Sequence, residues 1–139
     1  MKARTLLVLD IPFLYFSTPK GRIQYNMYLE HLKKNLDVRM SIAYTNQQNP
    51  TPFFQVLYSL GFEIRQDREC HTYNLIIETL ELSNNVDTIV IGSSAKYVPI
   101  LVKTLKKKGK RVIIFAKNIP EKWNKYCEII EIPKEYILI

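Results

Sequence analysis

The chain has 139 residues, 47% of them apolar and 24% charged, which suits one globular domain over residues 1–139 and excludes wholesale disorder. Twenty Lys and Arg oppose thirteen Asp and Glu for a net charge of +7. The expected partner is therefore polyanionic, with nucleic acid ahead of an acidic membrane surface, although a merely solubilising basic surface gives the same balance.

The N-terminal apolar stretch resembles a leader peptide only superficially. Asp10 and Pro12 interrupt it, and it is too short to span a bilayer. It reads as a buried strand over Thr5–Leu9, closed by Asp10. Tyr25, Tyr28, Leu29 and Leu32 recur at helical spacing. Val38–Tyr44 is a second strand, Pro52 opens a helix that Gly61 ends, and Phe62–Arg65 is a third short strand. A helix follows from about Thr72, the expected N-cap, to Leu82. Strand four ends at Gly92. A helix over Tyr97–Lys108 stops at Gly109, strand five is Arg111–Ala116, and a short helix and a strand close the chain. The apolar end, Tyr136–Ile139, needs cover from an added strand, the domain's own core or a second subunit. Cys70 and Cys127 form no CxxC and fit a reducing, cytoplasmic setting.

Strands alternating with helices predict a three-layer αβα sandwich around a mainly parallel sheet of five or six strands. Ligands in such folds gather beyond the carboxyl ends of the strands. Asp10, Gly92-Ser93-Ser94 and the polar stretch before Thr72 fall there.

Six segments in order carry a resemblance. They are LLVLDIPFLYF, GRIQYNMYLEHLKK, AYTNQQ, FFQVLYSLGFEI, TIVIGSSAKYVPILVKTLKKKGKRVIIFA and KWNKYCEIIEI. Together they resemble the NYN domains of the PIN-like nuclease superfamily. The resemblance implies metal-dependent RNA hydrolysis, in which clustered carboxylates hold Mg²⁺ or Mn²⁺ that activates water.

Position by position, the first-strand aspartate of that pattern is retained as Asp10. The asparagine three residues later falls on Phe13. The acid opening the central helix falls on Thr72, and a second acid in that helix matches Glu78. The two aspartates of the signature turn fall on Ser94 and Lys96, and an acid before the last strand on Glu128. Two acidic positions thus hold hydroxyls, Thr72 and Ser94, and a third holds the ammonium of Lys96. A nearby lysine opposes a divalent cation by several kcal/mol at an effective dielectric of about 20. The expectation is a degenerate site with no cofactor. Mg²⁺ or Mn²⁺ enters only under the alternative of a working ribonuclease that uses Asp10 and Glu78, with waters and Glu69. A non-catalytic assembly module is a further alternative.

Asp10 can equally cap the turn that follows it. Ser93, Ser94 and Lys96 have three readings: a helix cap with a solvated lysine, a Lys96–Asp10 ion pair in place of the metal, or a phosphate site at the helix N-terminus. Lys20, Arg22, Arg65 and Arg68 lie in or near loops at the same end and are candidate nucleic-acid contacts. The lysine-rich stretch Lys103–Arg111 is either a solvated helix end or a phosphate stripe. His71 is a candidate general base. Tyr15 and Phe16 are candidate stacking residues in a loop.

Overall fold

The computed structural model describes residues 1–19, 21–47 and 51–139. The candidate contact Lys20 lies outside the described residues.

In chain order the elements are β1 (Ala3–Asp10), α1 (Ile11–Phe16), β2 (Arg22–Ile23), α2 (Tyr25–Lys33), β3 (Leu36–Thr45), α3 (Pro52–Ser59), β4 (Glu63–Gln66) and α4 (His71–Leu82). They continue with β5 (Thr88–Gly92), α5 (Val98–Lys107), β6 (Arg111–Ala116), a 3-10 turn at Glu121–Lys125, β7 (Glu128–Glu131) and β8 (Ile137–Leu138).

A six-stranded sheet of order β4-β3-β1-β5-β6-β7 forms the middle layer, and every pairing within it is parallel. Parallel strands need crossovers, and right-handed crossovers place helices on one face until the strand order reverses. The contacts agree. Tyr25 of α2 packs on Phe53 of α3 on one face, while Lys108, just past α5, reaches Leu80 of α4 on the other. Because both faces are covered, central strands bury every side chain. Leu6 through Leu9 have no exposed surface, and neither do Ile89 through Ile91. Alternation is absent from these strands for that reason.

The expected fold is observed, with three differences in detail. The residues after Asp10 form a single-turn helix, α1, rather than a loop, with Asp10 as its N-cap. Helix α4 begins at His71, with Cys70 at the N-cap position, so Thr72 is not the cap. Asp67 takes that work: its carboxylate accepts from the backbone N–H of Glu69 and Cys70 and from the Asn74 amide. These donors hold the Asp67 carboxyl below its usual range. The short helix expected before the closing strand is 3-10, over Glu121–Lys125. The apolar C-terminus is covered in part by its own chain, since β8 pairs antiparallel with β2. Leu138 and Ile139 remain exposed.

Helix α5 shows how composition sets a boundary. Val98, Leu101, Val102 and Leu105 form its buried stripe, and Gly109, at φ +80°, adopts the left-handed conformation that ends it. The lysines beyond are partly structural. Lys108 Nζ donates to Leu80 O and Ser83 Oγ, each at 2.8 Å, and Lys110 Nζ donates to Val86 O at 2.9 Å. These amines satisfy carbonyls at and just past the C-terminal end of α4, where cations are favoured. Lys106 donates to Tyr126 O. A continuous phosphate stripe is therefore broken up by these carbonyl contacts, although Lys103, Lys106, Lys107 and Lys108 all remain exposed. We expect Lys108→Met to lower unfolding free energy in urea by about 1 kcal/mol, whereas Lys107→Met leaves it unchanged.

Candidate functional site

The strand order reverses between β1 and β5, and that junction is where open αβ sheets place their ligands. Leu9 lies opposite Gly92, so the next residues, Asp10 and Ser93, meet at the crevice. The approach is close. A Cβ on Gly92 would lie 2.6 Å from Leu9 Cδ2 and 3.0 Å from Tyr28 Oη, and only glycine leaves room for both.

Asp10 is 3% exposed, and each of its oxygens is met by donors. Oδ2 accepts from Tyr97 Oη at 2.7 Å and from Ser93 Oγ at 3.3 Å. Oδ1 accepts from the backbone N–H of Phe13 at 3.2 Å and lies 3.8 Å from His71 Nε2. Burial first, and then the Asp10 charge, push the Tyr97 hydroxyl well above its ordinary pKa. Tyr25 is raised by the same two causes. Both phenols stay protonated, and Tyr97 donates. A buried carboxylate is retained when donors replace its water, and here side chains and a helix N-terminus supply them.

Glu78 is held elsewhere. Its carboxylate accepts from the Tyr44 hydroxyl and faces Arg65 Nε at 3.3 Å from both oxygens. Burial, then the Glu78 contact, raises the Tyr44 pKa far above its ordinary value. Arg65 also pairs with Glu63 at 2.8 Å. Its guanidinium is thus divided between two carboxylates at the sheet edge.

The turn residues separate in role. Ser93 Oγ accepts from the N–H of Ala95 at 3.1 Å while donating to Asp10. Ser94 Oγ donates to Lys117 O at 2.8 Å and ties the turn to the end of β6. Lys96 is exposed and is not among the groups that contact Asp10. Tyr97, its neighbour, occupies the place given to Lys96 in the ion-pair reading. Thr72 Oγ1 lies 3.3 Å from His71 Nε2. Arg22 and Arg68 are exposed. Glu69 is exposed as well, and Glu128 pairs with Arg111 at the far end of the sheet.

Reading residues singly missed the phenols. Tyr97 and Tyr25 read as helix residues and Tyr44 as the end of a strand, and only the folded chain shows which carboxylate each lies near. Tyr44 lies opposite Asp10 in the register but sends its hydroxyl to Glu78. Two concavities lie off this centre. One of about 790 Å³ sits at the opposite strand ends among Lys2, Arg4, Lys33 and Arg39. Another, of about 380 Å³, borders Arg65, Asn74 and Glu78.

A divalent ion needs several carboxylate oxygens with free lone pairs facing one point. Among the described residues no group of three or more His, Cys, Asp or Glu could hold one. The donor set also has the wrong polarity: Asp10 and Glu78 face hydroxyls, an N–H and a guanidinium, and Ser94 is itself a donor. The residues do not fit Mg²⁺ or Mn²⁺.

Fold and site together define a PIN-like αβ domain in which, among the described residues, the strand-end carboxylate Asp10 is held by hydrogen-bond donors and no acidic cluster forms. The NYN domain family matches residues 4–133, and the chain belongs to that family. Among solved structures it is similar to a Vibrio parahaemolyticus protein of unknown function. The two share 16% identity at a TM-score of 0.86, over 99% of this chain and 97% of that one, a likeness of fold. Comparison with curated proteins gives no match. Among the described residues no helix is long and apolar enough to cross a membrane.

Proposed function

We propose that the protein is a nucleic-acid-associated NYN domain, with RNA as its first partner, in which nuclease activity is lost or strongly weakened. The observation that carries this reading is the Asp10 carboxylate, engaged on both oxygens by Tyr97, Ser93 and the Phe13 N–H, beside a turn whose two acidic positions hold Ser94 and Lys96. The net charge of +7 supports the polyanionic partner. Arg22, Arg68 and Lys96 are the contacts offered by this reading, with Lys20 beside them in sequence. Arg65, Ser93 and Ser94 position neighbouring groups, and any phosphate contact from them would be secondary. The reading takes residues 1–139 as one domain working in the cytoplasm. It leaves Leu138 and Ile139 as a contact for a second copy or a protein partner.

The test is retention of a labelled single-stranded RNA with Mn²⁺ or with chelator, followed by product analysis. Retention without cleavage, falling roughly 20- to 50-fold between about 50 and about 200 mM salt for about three or four phosphate contacts on a single strand, is the expected result. Lys96→Gln should weaken binding uniformly across sequences and flatten the logarithmic salt slope by about 1. Metal-dependent cleavage abolished by Asp10→Asn would instead establish the ribonuclease that uses Asp10 and Glu78. No retention at low salt would leave the assembly module.

A further inference from the structure

Helix α1 follows Asp10 directly and buries only Ile11 and Leu14. Its last two residues face out, with Tyr15 71% and Phe16 75% exposed. Their rings lie edge to face, with centroids 5.4 Å apart and planes at 82°, an open corner of two perpendicular aromatic faces. Two large adjacent rings left in water on a six-residue helix contribute little to the core, and exposed aromatic area of this kind marks a contact surface. The corner belongs to the strand ends that also carry Lys96 and Arg68, both exposed. Of the acids nearby, Asp10 is buried under its own donors, Asp67 accepts from Glu69, Cys70 and Asn74, and Glu69 is exposed. Lys96 and Arg68 are therefore exposed cations on a rim of mixed charge.

We infer that Tyr15 and Phe16 form a stacking platform for unpaired bases, so that the ligand is single-stranded rather than duplex nucleic acid; this rests on the nucleic-acid reading above. A base laid flat on one ring meets the other ring edge-on, while its phosphates face the cations of the same rim. The favoured occupant follows from the net charge of +7 carried by the whole chain and from the exposed Lys96 and Arg68 at these strand ends. An apolar pair beside lysine and arginine suits a flat aromatic ligand that carries anions, and a base with its phosphate is such a ligand. Paired bases keep their faces buried in the duplex stack and cannot use the corner. Sequence preference should be weak, because every base has a π-face.

The test compares a fluorescein-labelled single-stranded RNA of mixed sequence with the same strand annealed to its complement, read by anisotropy against the full chain at low salt. The single strand should bind more tightly than the duplex. Tyr15→Ala and Phe16→Ala should each weaken the single strand by about 5- to 100-fold, leaving duplex affinity and the salt slope unchanged. Tyr15→Phe and Phe16→Tyr should retain binding, while Tyr15→Leu and Phe16→Leu should behave like alanine. Both side chains are exposed, and an unchanged melting temperature in each variant verifies the fold. Rescue by leucine would replace stacking with simple apolar contact. Unchanged single-strand affinity in the alanine variants overturns the platform and leaves the cationic binder standing. Failure of both RNAs to bind wild type overturns the parent reading as well. A fall in sedimenting mass on Phe16→Ala, with RNA affinity unchanged, would assign the corner to a second copy of the chain.

Discussion

Asp10→Ala should destabilise the domain by about 3 kcal/mol or more, and Asp10→Asn by about 2 kcal/mol. Alanine strands the Tyr97 hydroxyl, which now donates at 2.7 Å, and the Ser93 hydroxyl. It also removes the cap from α1, whose Phe13 N–H loses its acceptor. Asparagine keeps one oxygen but turns an NH₂ toward groups that themselves donate. The sign is informative. In a working acidic centre, removing one carboxylate relieves repulsion among like charges and raises the stability of the metal-free protein. Urea unfolding of the two variants checks this, and a gain in midpoint for Asp10→Asn would restore the acidic-centre reading.

Tyr28→Ala should cost about 3–5 kcal/mol and Tyr28→Phe about 1–2 kcal/mol. Tyr28 has no exposed surface. Its ring stacks on Phe115 with centroids 4.0 Å apart and planes 11° from parallel. Its hydroxyl donates to Phe115 O at 2.7 Å, and burial keeps that hydroxyl protonated. Because the hydroxyl also sits over Gly92, this residue fixes the distance between α2 and the strand that ends in the signature turn. Truncation should loosen the turn as well as the core, which hydrogen exchange at Ile91 and Gly92 would register. The phenylalanine variant isolates the hydrogen bond from the packing. Equal losses for the two substitutions would mean that the hydroxyl, not the ring, holds the layers together.

Much of the architecture was legible where burial writes a pattern. The unbroken apolar runs at Leu6–Leu9 and Ile89–Ile91 announced strands covered on both faces. The spacing of Val98, Leu101, Val102 and Leu105 announced a helix with one buried stripe. Helix α1 was not legible because one turn with two buried residues has no period to detect. The β2–β8 pair escaped because two-residue strands are too short to alternate. At the site, Asp10 was legible as a strand-end carboxylate. Its partner was not, since a tyrosine in a turn carries no sign of which acid it faces until the register places Leu9 beside Gly92. Lys96 carried three readings: solvated beside a serine cap, paired with Asp10 in place of the metal, or bound to phosphate. The structure gives the contact with Asp10 to the next residue, Tyr97, and leaves the lysine in solvent. The lysines beyond α5 were ambiguous for a related reason: sequence shows their number, but only the return of the chain past α4 shows that Lys108 and Lys110 end on backbone carbonyls.

The most direct measurement is a calorimetric titration of Mn²⁺ into wild type and Asp10→Asn at neutral pH. Occupied carboxylates predict no saturable heat in either protein and no rise in wild-type melting temperature as the ion is added. Saturable binding in wild type that disappears in Asp10→Asn would mean that Tyr97 and Ser93 yield their acceptor to a cation, and this centre would be an acidic metal site after all.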